Sequence, residues 1–243
     1  MATVSCQKAP CSRPTPNGTM PVMKHGLFIT LEGIDGTGKS TQLRLLVQHL
    51  KKRGFAVRVT REPGGTKVGE RIRKILLDST TARLAPLAEL ALMYAARAQH
   101  LQEVIRPALA KGEIVVSDRY NDASIAYQGY GRKLGAETVR AFDRIVCAGT
   151  QPDLTLLLDL APRLSLQRAH GRQSGRKSKQ ERFELQGISF HKRVRRGYLA
   201  IARKEARRVK VVEAGGPVAE VQAEIRKLVD TFLARRLNRL SRK

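Results

Sequence analysis

The sequence lacks several features that define common protein classes. Its 243 residues include no Trp and only three Cys, Cys6, Cys11 and Cys147, whose spacings match neither a zinc site nor an even disulfide framework. We therefore expect a reducing compartment, with Cys147 as a small buried hydrophobe. No uncharged apolar run approaches the roughly 20 residues of a membrane-spanning helix. The sequence thus predicts a soluble, cytoplasmic protein without a membrane partner.

Acidic residues are scarce, which leaves a formal net charge of +25. The excess is concentrated from Arg168 onward, where there are 22 Lys and Arg but 7 Asp and Glu. A basic surface is typical of nucleic-acid binding, although Lys and Arg also favour helix ends because of the helix dipole. The sequence offers no nucleic-acid recognition motif and few aromatic residues for base stacking. Nucleic acid is therefore not the partner that we expect.

The two ends of the chain differ in composition from its middle. Residues 1–25 contain four Pro, no acidic residue and no hydrophobic periodicity, which predicts a disordered arm. The arm has no apolar core of a secretory signal. Like transit peptides, the arm lacks acidic residues, but its Arg content is low for a transit peptide. Translation that starts at Met20 or Met23, without most of the arm, is an alternative. We expect residues 26–236 to form one folded domain and residues 237–243 a basic tail.

The stretch GIDGTGKS at Gly33–Ser40 fits the phosphate-loop pattern G-x-x-x-x-G-K-[ST]. It follows a strand predicted at Leu27–Leu31 and precedes a helix predicted at Thr41–Arg53, which is the context that such a loop requires. In this pattern the Lys reaches the β and γ phosphates and the Ser hydroxyl ligates Mg²⁺. The expected ATP-binding residues are Gly33, Ile34, Asp35, Gly36, Thr37, Gly38, Lys39, Ser40 and Thr41.

Short β-rich runs alternate with helical stretches along the rest of the chain. The further strands are predicted at Ala56–Thr60, Ile114–Ser117, Leu154–Leu158 and Val209–Val212. The further helices are predicted at Val68–Leu77, Pro86–Lys111 with a bend at Pro107, Ala136–Ala148, Pro162–Ala169, Leu185–Arg208 and Val218–Leu237. This alternation predicts an α/β fold with a doubly wound, parallel, five-stranded sheet flanked by helices, and ligands at the carboxyl ends of the strands.

Charged residues follow two of the predicted strands. Asp118 comes directly after an apolar strand, where a carboxylate can support the Mg²⁺ ion held by Ser40. Arg61 follows the second strand, where a guanidinium can bind a second phosphate. Asp159 also ends a strand, but there we expect only a cap for the helix that begins at Pro162.

Taken together, five segments resemble the bacterial thymidylate kinases: LEGIDGTGKST, TREPGGT, YAARAQH, DRYNDASIAYQGYGR and PDLTLLLDL. The resemblance covers about residues 26–236. It implies a P-loop nucleoside monophosphate kinase that transfers the γ-phosphoryl group of ATP to dTMP, with Mg²⁺ as cofactor and a homodimer as the assembly.

The same resemblance implies roles for individual residues. Asp35 is similar to the carboxylate that meets the acceptor's 3′-hydroxyl, Arg97 to the residue that binds thymine O4, and Tyr127 to the ring that crowds C2′. Tyr94 is expected to stack on the base, and Ser124 to read the pyrimidine edge. The implied dTMP site consists of Asp35, Arg61, Tyr94, Arg97, Arg119, Ser124, Tyr127 and Gln128.

The segment expected to close over ATP, about residues 170–184, departs from the family pattern. Relatives with Gly at the position of Gly36 supply catalytic Arg from a D-R-[ILF]-E segment, and this chain has ERFE at Glu181–Glu184. The resemblance therefore makes Lys39, Arg119 and Arg182 the expected catalytic residues. Arg172 and Arg176, in the basic run before ERFE, are possible substitutes.

Two other functions stay open at the level of the sequence. One is a different P-loop phosphotransferase, such as a deoxynucleoside kinase or another nucleoside monophosphate kinase. The other is a basic nucleic-acid-binding ATPase, which would show tight, salt-dependent binding to DNA. A panel of nucleotide acceptors separates the first alternative from thymidylate kinase activity.

Overall fold

The computed structural model describes residues 25–79, 84–171 and 182–240. Within these ranges, five parallel strands form one sheet in the order β2-β3-β1-β4-β5. This confirms the doubly wound parallel sheet predicted from the sequence. The strands are β1 (Leu27–Glu32), β2 (Val57–Arg61), β3 (Ile114–Asp118), β4 (Leu154–Asp159) and β5 (Val209–Glu213).

Helices connect the strands and cover both faces of the sheet. In the described ranges they are α1 (Lys39–Lys52), α2 (Lys67–Leu77), α3 (Pro86–His100), α4 (Arg106–Ala110), α5 (Asn121–Ser124), α6 (Ala136–Cys147), α7 (Pro162–Gly171), α8 (Ile188–Lys204) and α9 (Val218–Leu240). Two π-helical segments complete the set, Leu101–Ile105 between α3 and α4 and Ile125–Gly131 after α5. Every helix in these ranges is too short or too polar to span a bilayer.

Three helical predictions need correction. The helix expected over residues 86–111 is interrupted by the π-helical segment Leu101–Ile105, directly before Pro107, which has no N–H for the regular ladder. The helical residues Asn121–Gly131 were not predicted, because their polar residues and glycines show no apolar periodicity. Helix α8 begins at Ile188 rather than Leu185, since turns occupy the residues before it.

The alternation of side chains along β1 divides the core into two layers. Leu27, Ile29 and Leu31 pack on the face covered by α1 and α9, whereas Phe28 packs on the opposite face with α3. All six residues of β1 are buried, as expected of a central parallel strand. Cys147 is buried in the layer of Phe28, as predicted. This arrangement leaves the carboxyl end of β1, next to β3 and β4, as the crevice at which a ligand can bind.

Several predictions fall on residues outside the described ranges. They concern most of the N-terminal arm, residues 172–181 of the expected ATP-covering segment, and the last three residues of the basic tail. The first residues assigned to the tail belong to α9, which continues to Leu240.

Candidate active site

The phosphate loop joins β1 to α1 and is held by short-range contacts. Gly33, Gly36 and Gly38 have φ angles of 135°, 86° and 89°, a region that favours glycine. The Lys39 ammonium group donates hydrogen bonds to the carbonyl oxygens of Gly33 (3.0 Å) and Ile34 (2.9 Å). The cation therefore lies within the loop, where incoming phosphate oxygens can replace the carbonyl oxygens as its partners.

Position 36 requires glycine because of its packing as well as its backbone conformation. A Cβ atom at this position would lie 1.9 Å from the carbonyl oxygen of Ser165 in α7. The Ser165 hydroxyl also donates a hydrogen bond to the carbonyl oxygen of Asp35. The loop is thus packed directly against the helix that leads to residues 172–181, and a side chain at position 36 cannot fit without movement of α7.

Burial changes the protonation chemistry of Lys39. Desolvation, together with the nearby positive charge of Arg119, lowers the pKa of Lys39 to about 8, although Asp35, Asp118 and Glu32 oppose this change. Asp35 shows the reverse balance. Burial would raise the pKa of Asp35, but Arg119 and Lys39 outweigh that effect and hold it well below its usual range. Asp35 is consequently an anion at neutral pH.

Ser40 and Asp118 fit a Mg²⁺ site. Both side chains line the cavity of about 260 Å³ at the phosphate loop. The Oδ1 atom of Asp118 is buried and has no hydrogen-bond partner among the described residues, and such an oxygen suits a hard cation. Among all the described residues, no group of three or more His, Cys, Asp or Glu side chains is arranged to hold a metal ion. A Mg²⁺ ion here would therefore take further oxygen ligands from the nucleotide and water.

Arg119 follows β3 and reaches back to the phosphate loop. Its φ of 71° is unusual for a residue other than glycine. Its guanidinium donates hydrogen bonds to the Gly33 carbonyl oxygen (2.8 Å), Asp35 Oδ1 (2.7 Å) and the hydroxyl oxygens of Tyr127 and Tyr198 (3.2 Å each). These contacts fix a delocalised positive charge beside the loop.

A second cavity, of about 130 Å³, opens beside the phosphate-loop cavity and is more apolar. Leu77, Met93 and Phe183 contribute apolar walls, and Ser124 and Gln128 contribute polar groups. The two cavities have five lining residues in common, and these carry the charges at the junction: Asp35, Glu62, Arg73, Arg119 and Glu184. The site therefore consists of an anion-binding end and an apolar end, with two guanidinium groups and three carboxyl groups between them.

Arg97 lies behind the apolar cavity, and one of its donors has no hydrogen-bond partner among the described residues. Its Nε donates to Glu62 (2.7 Å) and its Nη2 to the Ser124 hydroxyl (3.0 Å) and the Tyr120 carbonyl oxygen (3.1 Å). Its Nη1 is buried without a partner among the described residues. Burial would lower the pKa of Arg97, but Glu62 reverses this and holds it well above its usual value. Arg97 itself does not line the cavity, but a buried unpaired donor gains stability from an added oxygen acceptor.

The structure places Tyr94 in the core, not in the cavity where stacking was expected. Only 1% of Tyr94 is exposed; its hydroxyl donates to the Val139 carbonyl oxygen (3.2 Å) and its ring lies 5.5 Å from that of Phe142. Met93 lines the cavity in its place. Successive residues of a helix point about 100° apart, so only one of these two neighbours can face the site.

Arg182 does not line the phosphate-loop cavity, where a catalytic cation was expected. Its guanidinium donates hydrogen bonds to the Leu76 carbonyl oxygen (2.6 Å) and to Glu89 (2.7 Å). The buried carboxylate of Glu89 attracts this charge away from the loop. Glu184, two residues later, lines both cavities. The proposed substitutes Arg172 and Arg176 lie outside the described residues.

Two further residues after strands have partners that the sequence did not reveal. Arg61 lines the phosphate-loop cavity but pairs with Glu70 (2.9 Å). Asp159, expected as a helix cap, accepts two hydrogen bonds from Arg195 (2.7 Å each). In each pair the partner lies on a helix, Glu70 on α2 and Arg195 on α8. The sequence alone does not show which way these helices face.

Arg73 is the cation at the junction that sequence reasoning missed. It lies on α2, lines both cavities and donates to the Pro63 carbonyl oxygen (2.8 Å). Residues four apart on a helix share a face, and Leu77 lines the apolar cavity. The four-residue spacing of Arg73 and Leu77 places both on one face of α2. The sequence does not show, however, that this face is turned toward the cavities.

Comparison with known proteins gives a consistent result. A family model described as thymidylate kinase matches residues 31–225. A thymidylate kinase of Desulfovibrio desulfuricans is 46% identical over 212 residues, which cover 86% of this chain and 98% of that protein. A thymidylate kinase of Desulfosudis oleivorans is 49% identical over 197 residues, covering 80% and 92%. The crystal structure of a thymidylate kinase from Ehrlichia chaffeensis superimposes with a TM-score of 0.68 at 32% identity and covers 85% and 99% of the two chains.

Proposed function

This chain belongs to the thymidylate kinase family and transfers a phosphoryl group from ATP to dTMP, and we propose that its two joined cavities are the donor and acceptor sites. The phosphate-loop cavity takes the ATP phosphates, and the apolar cavity takes the nucleoside part of dTMP. The observation that carries this proposal is the shared wall, where Arg73 and Arg119 lie between the two cavities.

Catalysis of phosphoryl transfer consists mainly of positioning and charge stabilisation. Arg119 is bonded to the phosphate loop through Gly33 and Asp35 and also borders the acceptor cavity. It therefore holds the acceptor phosphate at a fixed distance from the donor. Arg73 adds a second positive charge on the same wall. The two cations reduce the repulsion between the donor and acceptor phosphates and align them for transfer.

At the donor end, Lys39 binds the β and γ phosphates by exchanging its carbonyl partners for phosphate oxygens. The buried Asp118 Oδ1, which has no hydrogen-bond partner among the described residues, and the Ser40 hydroxyl would hold Mg²⁺. When bound, this ion neutralises charge on the phosphates. The rest of the loop, from Gly33 to Thr41, surrounds the ATP phosphates.

At the acceptor end, the free donor of Arg97 binds a carbonyl oxygen of the thymine base, with Ser124 and Gln128 along its edge. The Met93 thioether packs against the base in the role expected of Tyr94. The Tyr127 hydroxyl bonds Asp35 (3.1 Å), which places the ring next to the carboxylate that meets the 3′-hydroxyl. This placement supports a role for Tyr127 in crowding C2′ and favouring deoxyribose.

We also propose a homodimer in the cytoplasm, as the family resemblance implies. Three neighbouring helices, α2, α3 and α6, expose apolar side chains that suit a contact between subunits: Ile75 (46%), Leu87 (53%) and Ile145 (81%). Light scattering coupled to gel filtration measures the mass in solution. A monomer at working concentrations would contradict this part of the proposal.

The acceptor is tested by coupling ADP release to a spectroscopic assay over a nucleotide panel. We expect dTMP to support turnover, and dAMP, dCMP and thymidine to support far less. Turnover with one of the other acceptors but not with dTMP would overturn the assignment. DNA-stimulated ATP hydrolysis without any nucleotide acceptor would favour the nucleic-acid alternative.

A further inference from the structure

Glu89 on α3 is a fully buried carboxylate with an unusual number of donors. It accepts hydrogen bonds from Gln128 Nε2 (2.8 Å), from Arg132 Nε (3.1 Å to Oε2) and from Arg182 Nη2 (2.7 Å). Arg132 Nη2 also lies 3.0 Å from it. One carboxylate thus holds two guanidinium groups and an amide that come from two distant parts of the chain, residues 128–132 and Arg182.

The first link runs from Glu89 to the segment that precedes α8. Arg182 reaches Glu89 directly, and Gln186 accepts a hydrogen bond from Arg132 (2.9 Å) while its amide donates to the Arg182 carbonyl oxygen (3.0 Å). Arg182 also donates to the Leu76 carbonyl oxygen at the end of α2. These contacts dock residues 182–186, and with them the cavity-lining Phe183 and Glu184, onto α2 and α3.

The second link runs from Glu89 to the acceptor cavity. A carboxylate can only accept hydrogen bonds, so the Gln128 amide must turn its nitrogen toward Glu89. This leaves the amide oxygen as the acceptor for a donor on the ligand. Met93, one turn further along α3, lines the same cavity, and Arg97, two turns further, donates a hydrogen bond to Ser124 on its wall. Glu89 therefore sits where the docked segment and the base-binding residues meet.

We propose that Glu89 and Arg182 are positioning residues that join the docking of residues 182–186 to the shape of the dTMP base pocket. The proposal rests on the assignment of the apolar cavity to dTMP. Glu89 holds the Gln128 amide in the orientation that meets the base, and the same carboxylate retains Arg182 and its neighbours. Arg182 then acts on acceptor binding through Glu89 rather than on the transferring phosphoryl group.

Substitution of Arg182 separates this role from the catalytic role predicted by the sequence pattern. We expect Arg182→Met to weaken dTMP binding in the absence of ATP by about five- to tenfold, within the range for side chains of one network. ATP binding in the absence of dTMP should stay within twofold of the wild-type value. A catalytic cation would instead leave the Kd of dTMP unchanged and lower kcat by about 10² or more.

A double-mutant cycle with Gln128 tests whether the effect passes through Glu89. Gln128→Leu should raise the Kd of dTMP in the wild-type background, and should raise it clearly less when Arg182→Met is already present. Glu89→Gln should raise the Kd of dTMP as much as Gln128→Leu and Arg182→Met do together. The matched control is Arg193→Met, because Arg193 bonds the carbonyl oxygen of Gly131 (3.1 Å), the residue before Arg132, but makes no hydrogen bond or ion pair with Glu89 among the described residues. It should leave the Kd of dTMP unchanged.

Thermal unfolding without nucleotide shows whether each variant is folded. If Glu89→Gln does not fold, the cycle between Arg182 and Gln128 still decides the question, with Arg182→Lys as a milder member. Additive effects in the cycle, or a folded Arg182→Met protein with wild-type affinity for dTMP, would overturn the inference. Failure of the wild-type protein itself to bind dTMP would instead overturn the assignment of the acceptor cavity.

Discussion

The donor and acceptor ends of the site are built in different ways. The donor end is mainly one continuous stretch, Gly33–Thr41, in which Lys39 donates hydrogen bonds to the carbonyl oxygens of Gly33 and Ile34. The acceptor end is assembled mainly from α2, α3, the residues after β3 and residues 183–184. The comparison teaches that a site made of sequence neighbours carries its geometry in a motif. A site made of distant segments depends on the direction in which each helix faces.

The two ends nevertheless share one design feature. Each keeps a single buried polar atom without a partner among the described residues, Asp118 Oδ1 at the donor end and Arg97 Nη1 at the acceptor end. Leaving such an atom unpaired costs about 1–3 kcal/mol in a protein interior. Both atoms are therefore prepared to gain a partner when a ligand binds.

The largest expected effect comes from removing the donor-end cation. Lys39→Ala should lower turnover by about 10³ or more, because it deletes the charge that stabilises the transferring phosphates. Coupled ADP release measures the loss, and circular dichroism checks that the fold is kept. Turnover near the wild-type rate would mean that the loop is not the donor site. The donor site could then not be described as one continuous sequence motif.

Gly36 and Gly38 test how far the loop depends on its neighbours. Gly36→Ala should reduce the free energy of unfolding by about 2–4 kcal/mol, through left-handed backbone strain and the contact with Ser165. Gly38 has a similar φ, but no atom of the described residues outside its own neighbourhood lies within 4 Å of the added Cβ. Gly38→Ala should therefore cost only about 1–2 kcal/mol. Equal losses in denaturant unfolding would show that the packing on α7 contributes nothing.

At the acceptor end, the neighbours Met93 and Tyr94 should behave differently. Met93→Ala should weaken dTMP binding roughly five- to tenfold by removing apolar contact with the base. Tyr94→Phe should leave dTMP binding unchanged and reduce the free energy of unfolding by about 1 kcal/mol, because it deletes a buried hydrogen bond. Calorimetric titration and chemical unfolding measure the two quantities. A loss of dTMP affinity in Tyr94→Phe alone would restore the stacking role predicted from the sequence.

The smallest expected effect is a pH dependence confined to the donor end. With its pKa lowered to about 8 by burial and Arg119, Lys39 loses its proton as pH rises above that value. The charged form binds phosphate, so ATP affinity should fall roughly threefold between about pH 7.5 and 8.5. The Lys39→Arg side chain stays charged throughout. Its ATP affinity should be lower than that of the wild type but should change little over this pH range. An equally steep fall in Lys39→Arg would assign the titration to another group.

Much of the fold was predictable because its signals are local. Each strand is a short apolar run, each major helix has its own periodicity, and the loop between Leu27–Leu31 and Thr41–Arg53 carries its glycines and Lys in a fixed order. The π-helical segment before Pro107 was missed because periodicity does not distinguish it from an α-helix, and the helical residues 121–131 were missed because their polar residues and glycines show no apolar periodicity.

By itself, the sequence determined the parallel α/β sheet, the phosphate loop and the family to which the chain belongs. Only the tertiary structure decided that Met93 faces the apolar cavity, that Arg73 lies between the two cavities and that Arg182 pairs with Glu89. The physical reason is the range of the interactions. Loop conformation is set by adjacent residues, whereas the partner of a charged side chain depends on which distant carboxylate the fold buries beside it.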